Sequence, residues 1–265
     1  MTVQDTDTRK HAVYVYGILP SDIELETGAT GVGDPPGEVR VVRHGDLAAL
    51  VSDVDLTKPL GRPDDLYAHE GLLDATAAVV PVLPLRFGAL VSSDDAVAEE
   101  LLQAHHDKFA TALSQLEGRV EYVVRGRYDE QAILRRVLEE NPQAARLAKQ
   151  IRGADPDATR ELRIQLGEIL NTEVAAKREK DTRTVGDVVA GLVEASVVRP
   201  PSSELDAVYT ALLVEADAAD ELEEALSRLA GDWGGRVDLN LIGPLAAYDF
   251  VGTPAATAAA TTTGT

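Results

Sequence analysis

The stretch Val39-Arg40-Val41-Val42-Arg43-His44-Gly45-Asp46-Leu47-Ala48-Ala49-Leu50-Val51 decides the fold class. Two apolar runs flank a His-Gly-Asp turn, the pattern of a β-hairpin. Hairpin strands are antiparallel, which argues against a doubly wound parallel sheet. Upstream, His11 to Leu19 sets Val13, Val15 and Ile18 among tyrosines and reads as a first strand, closed by Gly17 and Pro20. Gly28 to Gly37 is a Gly/Pro-rich loop. Downstream, Pro63-Asp64-Asp65 opens a helix running to about Val79, with its carboxylates where the helix dipole favours them. Val80 to Leu85 is almost continuously apolar, hence a central, buried strand, and Ser93-Asp94-Asp95 caps a second helix ending near Leu116. The order strand–hairpin–helix–strand–helix is that of an α+β unit of ferredoxin-like or split βαβ type.

A second α+β unit follows. Val120 to Val124 is a strand, Leu205 to Glu215 another, Ala218 to Leu229 a helix and Arg236 to Ile242 a strand. Gly243-Pro244 turns into a last short strand ending near Val251. Between them lies a different kind of surface. Residues 129–183 hold 11 basic and 11 acidic side chains, so the chain's net charge of −20 sits entirely outside them. Leu162, Leu166, Ile169, Leu170 and Val174 recur at helical spacing, and Val185, Val188, Val189, Leu192 and Val193 form a second helical stripe. Arg199-Pro200-Pro201-Ser202-Ser203 then breaks the chain. This helical insertion, about 129–198, is either a charge-laced hairpin packed on the body or an arm that binds a partner. The expected domains are 11–118 and 119–252, with a flexible N-terminus over 1–10 and a disordered Thr/Pro/Ala/Gly tail over 253–265.

The 265 residues fit roughly two domains. With 45% hydrophobic and 26% charged residues, the chain is an ordinary globular one. The longest uncharged run inside the fold, Ala75 to Leu85, is far short of the roughly 18 apolar residues a membrane span needs. The polar, acidic N-terminus shows no secretory signal, and a cytoplasmic location is expected. Without cysteine there is no disulfide, thiolate nucleophile or Cys-built metal site. An excess of 45 acidic over 25 basic residues disfavours nucleic acid and anionic membranes as partners.

Catalytic patterns are missing. No Gly-Lys pair offers a phosphate loop, and no Gly-x-Ser-x-Gly elbow is present. His69-Glu70 is followed by Leu73 where a zinc helix needs a second histidine. His105 and His106 point about 100° apart on a helix and cannot easily share a metal. Asp53 with Asp55, and Asp155 with Asp157, read as caps and turns. No cofactor and no metal is expected. Arg86 alone resists a bland reading, because it ends an apolar strand just before Phe87 and Gly88. It is either one half of a buried ion pair or an exposed anchor for a partner.

Pro84-Leu85-Arg86-Phe87-Gly88, preceded by Tyr14-Val15-Tyr16-Gly17-Ile18 and by Leu47-Ala48-Ala49-Leu50-Val51, resembles the GvpL/GvpF family of gas vesicle proteins. Phe109 and Leu113, Leu116 to Glu121, and Gly243-Pro244 with Tyr248 and Phe250 extend the likeness from about residue 11 to 252. The family's closing turn commonly reads Gly-Pro-Trp-Pro-Pro-Tyr-Ser-Phe. This chain has Gly243-Pro244-Leu245-Ala246-Ala247-Tyr248-Asp249-Phe250, without the tryptophan and the Pro-Pro pair. The resemblance implies a non-enzymatic accessory protein that binds the hydrophobic gas vesicle shell subunit and other gas vesicle accessory proteins, limiting aggregation or nucleating assembly. The alternatives are a minor structural component of the shell, or a small-molecule-binding or enzymatic α+β protein. Arg86, Phe87, Gly88, Tyr248 and Phe250 are the expected partner-binding residues.

Overall fold

The computed structural model describes residues 11–23 and 28–251; the expected flexible N-terminus (1–10) and tail (253–265) lie outside the described residues. The chain divides into two units. The first takes residues up to 122, with 213–216 and everything from 243; the second takes 123–212 and 217–242. The chain passes between the two units four times, and the closing segment from 243 belongs to the first unit.

In the first unit, β1 (His11–Pro20), β2 (Arg40–His44), β3 (Leu47–Asp55) and β4 (Leu83–Pro84) form a sheet of order β2-β3-β1-β4, with β5 (Leu90–Val91) also pairing to β1. The β2–β3 hairpin stands as read, closed by Gly45 at φ +62°. β1 is buried on both faces, since Tyr14, Val15, Tyr16, Ile18 and Leu19 are all solvent-free. Gly17 is what lets the layers close here. A Cβ on it would lie 2.8 Å from Leu73 Cδ2 and 2.9 Å from the Leu83 carbonyl oxygen.

The apolar stretch Val80 to Leu85 is not the central strand expected. Only Leu83 and Pro84 are extended, and they pair at the sheet edge with Ile18 and Gly17. Pro81 and Pro84 have no N–H to give a ladder, which confines proline to edges. Helix α1 (Pro63–Ala77) starts where the sequence places it, with Pro63 in its first turn. The second helix is broken. Ser93 caps a short α2 (Asp94–Ala96), a π-helical stretch covers Val97–Gln103, and α3 (His106–Leu116) restarts after His105. The strand order matches a split βαβ unit, and among the described residues no helix lies between β1 and β2.

A second sheet has the order β7-β8-β6-β9 and comprises β6 (Arg119–Tyr128), β7 (Ala195–Val198), β8 (Asp206–Glu215) and β9 (Val237–Leu245). The sequence reading missed β7. It also split one helix in two. Both apolar stripes start on α6 (Arg160–Val189), because the intervening Ala175 to Thr184 contains no breaker and several strong helix formers. Leu192 and Val193 fall past its end, in the turn at Gly191. α4 (Glu130–Glu140) and α5 (Pro142–Ile151), joined at Asn141, pack with α6, and so does α7 (Ala219–Asp232). Asp181 of α6 is buried, and Arg236 grips it at 2.6 and 2.7 Å while Tyr128 Oη donates to it at 2.8 Å. The Trp233 ring stacks under the same guanidinium at 4.6 Å.

The expected last strand after Gly243-Pro244 is absent. β9 runs through both residues to Leu245, and Tyr248–Phe250 is a single 3-10 turn. Gly243 is required there, since a Cβ on it would sit 2.5 Å from Tyr122 Cδ1. No helix among the described residues is long and apolar enough to cross a membrane.

Candidate functional site

Residues 85–88 leave β4 and turn before β5. Arg86 at their centre is exposed and, among the described residues, makes no hydrogen bond or ion pair. The buried ion pair open from the sequence is thus not formed among the described residues, because β4 ends at Pro84, two residues before Arg86, and does not carry the guanidinium inward. Phe87 points the other way and is half-buried. Its ring meets Tyr14 edge-on at 5.7 Å and His69 at 5.5 Å. Gly88 adopts φ +89°, a conformation glycine accepts without strain, and donates its N–H to Tyr14 Oη at 3.0 Å.

Behind this turn stands His69, on the inner face of α1 and only 2% exposed. Its Nδ1 lies 3.0 Å from Tyr14 Oη, and its Nε2 lies 3.1 Å from the Leu85 carbonyl and 2.8 Å from Tyr248 Oη. The chemistry of the partners assigns the protons. Burial pushes the Tyr14 hydroxyl up to about 12, despite the opposing Gly88 amide, so it keeps its proton and donates to Nδ1. Nε2 then carries the ring's single hydrogen, which the Leu85 carbonyl can only accept. Burial also lowers the His69 pKa, with the Leu85 carbonyl opposing, which favours this neutral tautomer. Both ring nitrogens are engaged. The imidazole is a tie between β1, α1, the Arg86 turn and the chain's closing segment.

That segment is fastened at two more points. Ala246 N–H donates to Asp74 Oδ1 at 2.8 Å and Asp249 N–H to Glu121 Oε2 at 3.1 Å. Burial raises the Asp74 pKa, partly offset by the Ala246 amide. The family turn described above carries proline at position 246, which could not make this bond. At the start of α1, Asp65 is buried as well and accepts from the amides of Gly33, Gly61 and Arg62 at 3.0–3.1 Å. Burial alone would raise its pKa, but these three donors hold it below the usual carboxylate range.

Of the five expected partner-binding residues, Phe87 and Tyr248 contact the His69 imidazole, Gly88 reaches it through Tyr14, and Arg86 stands exposed on the same turn. Phe250 is half-buried at the end of its turn, and among the described residues no ring contact joins it to the others. His69 itself was read only as half of a failed zinc motif. Its signal lay in the spacing: Asp65, His69 and Leu73 recur every four residues on the buried face of α1, so two polar residues sit where apolar ones are due. Among the described residues no group of three or more metal-ligating side chains is assembled.

Comparison with known proteins matches residues 12–252 to the family described as gas vesicle synthesis protein GvpL/GvpF. The chain is 37% identical over 244 residues to gas vesicle protein F of Streptomyces sp. strain CB03234, covering 91% of this chain and 99% of that protein. It is 31% identical to gas vesicle protein L of the same strain, covering 90% and 92%. Among solved structures, the gas vesicle protein GvpF from Anabaena sp. PCC7120 superposes with a TM-score of 0.73 at 21% identity, over 92% of this chain and 97% of that one. GvpF from Microcystis aeruginosa gives 0.72 at 20%, over 91% and 99%.

Proposed function

The chain belongs to the GvpL/GvpF family of gas vesicle synthesis proteins and takes part in gas vesicle formation, and from that premise we propose that it is a cytoplasmic assembly factor that binds the hydrophobic shell subunit. The contact surface in this proposal is the Arg86 turn. One observation carries it: an exposed guanidinium with no partner among the described residues stands on a turn whose Leu85 carbonyl meets the buried His69 and whose Gly88 amide donates to Tyr14, itself bonded to His69. The exposed guanidinium itself adds little to the stability of the fold, within about 0.5 kcal/mol. Arginine beside an aromatic on a pre-ordered surface is, however, the composition of interface hot spots. The acidity of the chain keeps the complex dispersed while the apolar subunit is held. The charge-balanced helices α4 to α6 give other vesicle proteins a second surface of a different character.

The direct test is capture of purified shell subunit by the immobilised chain. Arg86→Ala is expected to weaken capture at least about tenfold, as loss of a hot-spot arginine does, with the melting temperature unchanged. Undiminished capture by Arg86→Ala contradicts the assignment of this surface.

A further inference from the structure

A second surface of the first unit lies at the other end of the 80–88 stretch. There, α3, the β2–β3 turn, the end of β1 and residues 80–81 enclose an open groove of about 630 Å³. Its floor is apolar, formed by Leu47, Val80, Pro81, Ala110 and Leu113. Its rim carries Asp22, Asp46 and Glu117, and every lining side chain charged at neutral pH is a carboxylate. The apolar surface does not stop at the mouth. Val79, next to the floor residue Val80, is 82% exposed. It adds exposed apolar surface beside the groove.

The groove is pre-ordered. Arg43 holds its 21–23 wall through the carbonyls of Ser21 (3.0 Å) and Ile23 (2.8 Å), and the Ser21 amide donates to the Asp46 carbonyl at 2.9 Å. The hydrogen bond from His106 Nε2 to Asp46 Oδ1 at 2.5 Å favours the ionised form of that rim carboxylate.

We propose that this groove docks an amphipathic helix of a partner protein, with its apolar face on the floor and its lysine or arginine residues at the acidic rim. Charge complementarity selects that occupant. Asp46 is already held by His106, but an acidic helix would meet Asp22 and Glu117 in a chain at −20, and a purely apolar one would leave those two charges unanswered. The groove is separate from the Arg86 turn, so the two assignments stand or fall independently.

The probe is a fluorescein-labelled amphipathic peptide of about 14 residues, roughly four helical turns, with leucine on one face and lysine at both ends. A control peptide carries glutamate in place of each lysine. The full chain is expected to bind the lysine peptide saturably and the glutamate peptide at least about tenfold more weakly. Glu117→Lys should weaken lysine-peptide binding about threefold to fivefold, the scale of one exposed charge contact. Ala110→Arg, which fills the floor from an ordinary helical position, should abolish it; melting curves verify that both variants are folded. Equal binding of the two peptides, or undiminished binding by Glu117→Lys and Ala110→Arg, overturns the proposal. So does loss of peptide binding in Arg86→Ala, because the peptide would then be reading the other surface.

Discussion

Replacing His69 with alanine tests whether the Arg86 turn hangs from this imidazole. The substitution removes a 2%-exposed ring and leaves three buried polar atoms without their partner: Tyr14 Oη, the Leu85 carbonyl and Tyr248 Oη. An orphaned buried group costs about 1–3 kcal/mol. Tyr14 keeps the Gly88 amide and Tyr248 is only half-buried, so the lower end applies to both. With the lost ring contacts to Phe87 and Tyr16, the sum comes to about 3–5 kcal/mol. For a unit of this size that lowers the melting temperature by roughly 6–20 °C. Arg86→Ala, by contrast, removes an exposed side chain with no partner and should stay within about 0.5 kcal/mol. Scanning calorimetry reads both numbers, and amide exchange localises the effect. The Gly88 N–H, bonded to Tyr14 Oη, should exchange faster in His69→Ala and at the wild-type rate in Arg86→Ala. A loss under about 1 kcal/mol, or an unchanged Gly88 rate, would refute the idea that His69 positions the turn.

Acid should act through the same residue. The folded-state pKa of His69 is lowered, so between that value and its unfolded value near 6.5 the unfolded chain binds the extra proton. Its contribution is therefore full above the unfolded value and is lost as pH falls toward the folded one; His69→Gln should flatten this limb in urea titrations from pH 7 to 5. His106 has the opposite sign: Asp46 and then Asp107 raise its pKa, so its small surface contribution is present at acid pH and lost as pH rises through the raised value. In the second unit, Asp181→Ala strands Arg236 and Tyr128 Oη and should cost about 3 kcal/mol by chemical denaturation, more than loss of any exposed pair. Ala246→Pro, the residue of the wider family's turn, deletes the amide on Asp74 and should cost about 1–2 kcal/mol; adding Asp74→Ala should then cost less than it does alone, which a double-mutant cycle measures.

What the sequence makes legible is local. The β2–β3 hairpin follows from two apolar runs and one turn glycine, and the start of α1 follows from Pro63 with two aspartates. The strand assigned to Val80–Leu85 fails because hydrophobicity was weighed above hydrogen bonding, and two prolines in six residues leave too few donors for a central ladder. The single helix α6 was divided because its apolar stripe lapses over Ala175 to Thr184, where helix propensity alone continues it. The site is a harder case. Arg86, Phe87 and Gly88 stand out as a cluster in the sequence, but Tyr14, His69 and Tyr248 meet only through long-range packing that no spacing encodes. The closing segment shows the same limit: Gly243-Pro244 reads as a turn, and only the approach of Tyr122 reveals why glycine is needed within a strand.

The central claim is that this chain promotes vesicle formation through the Arg86 turn. Pressure-sensitive light scattering on cells lacking the gene, then supplied with wild type or Arg86→Ala at matched expression, tests it most directly. Loss of the collapsible signal on deletion, its return with wild type, and its failure to return with Arg86→Ala is the predicted result. Full restoration by Arg86→Ala would contradict it.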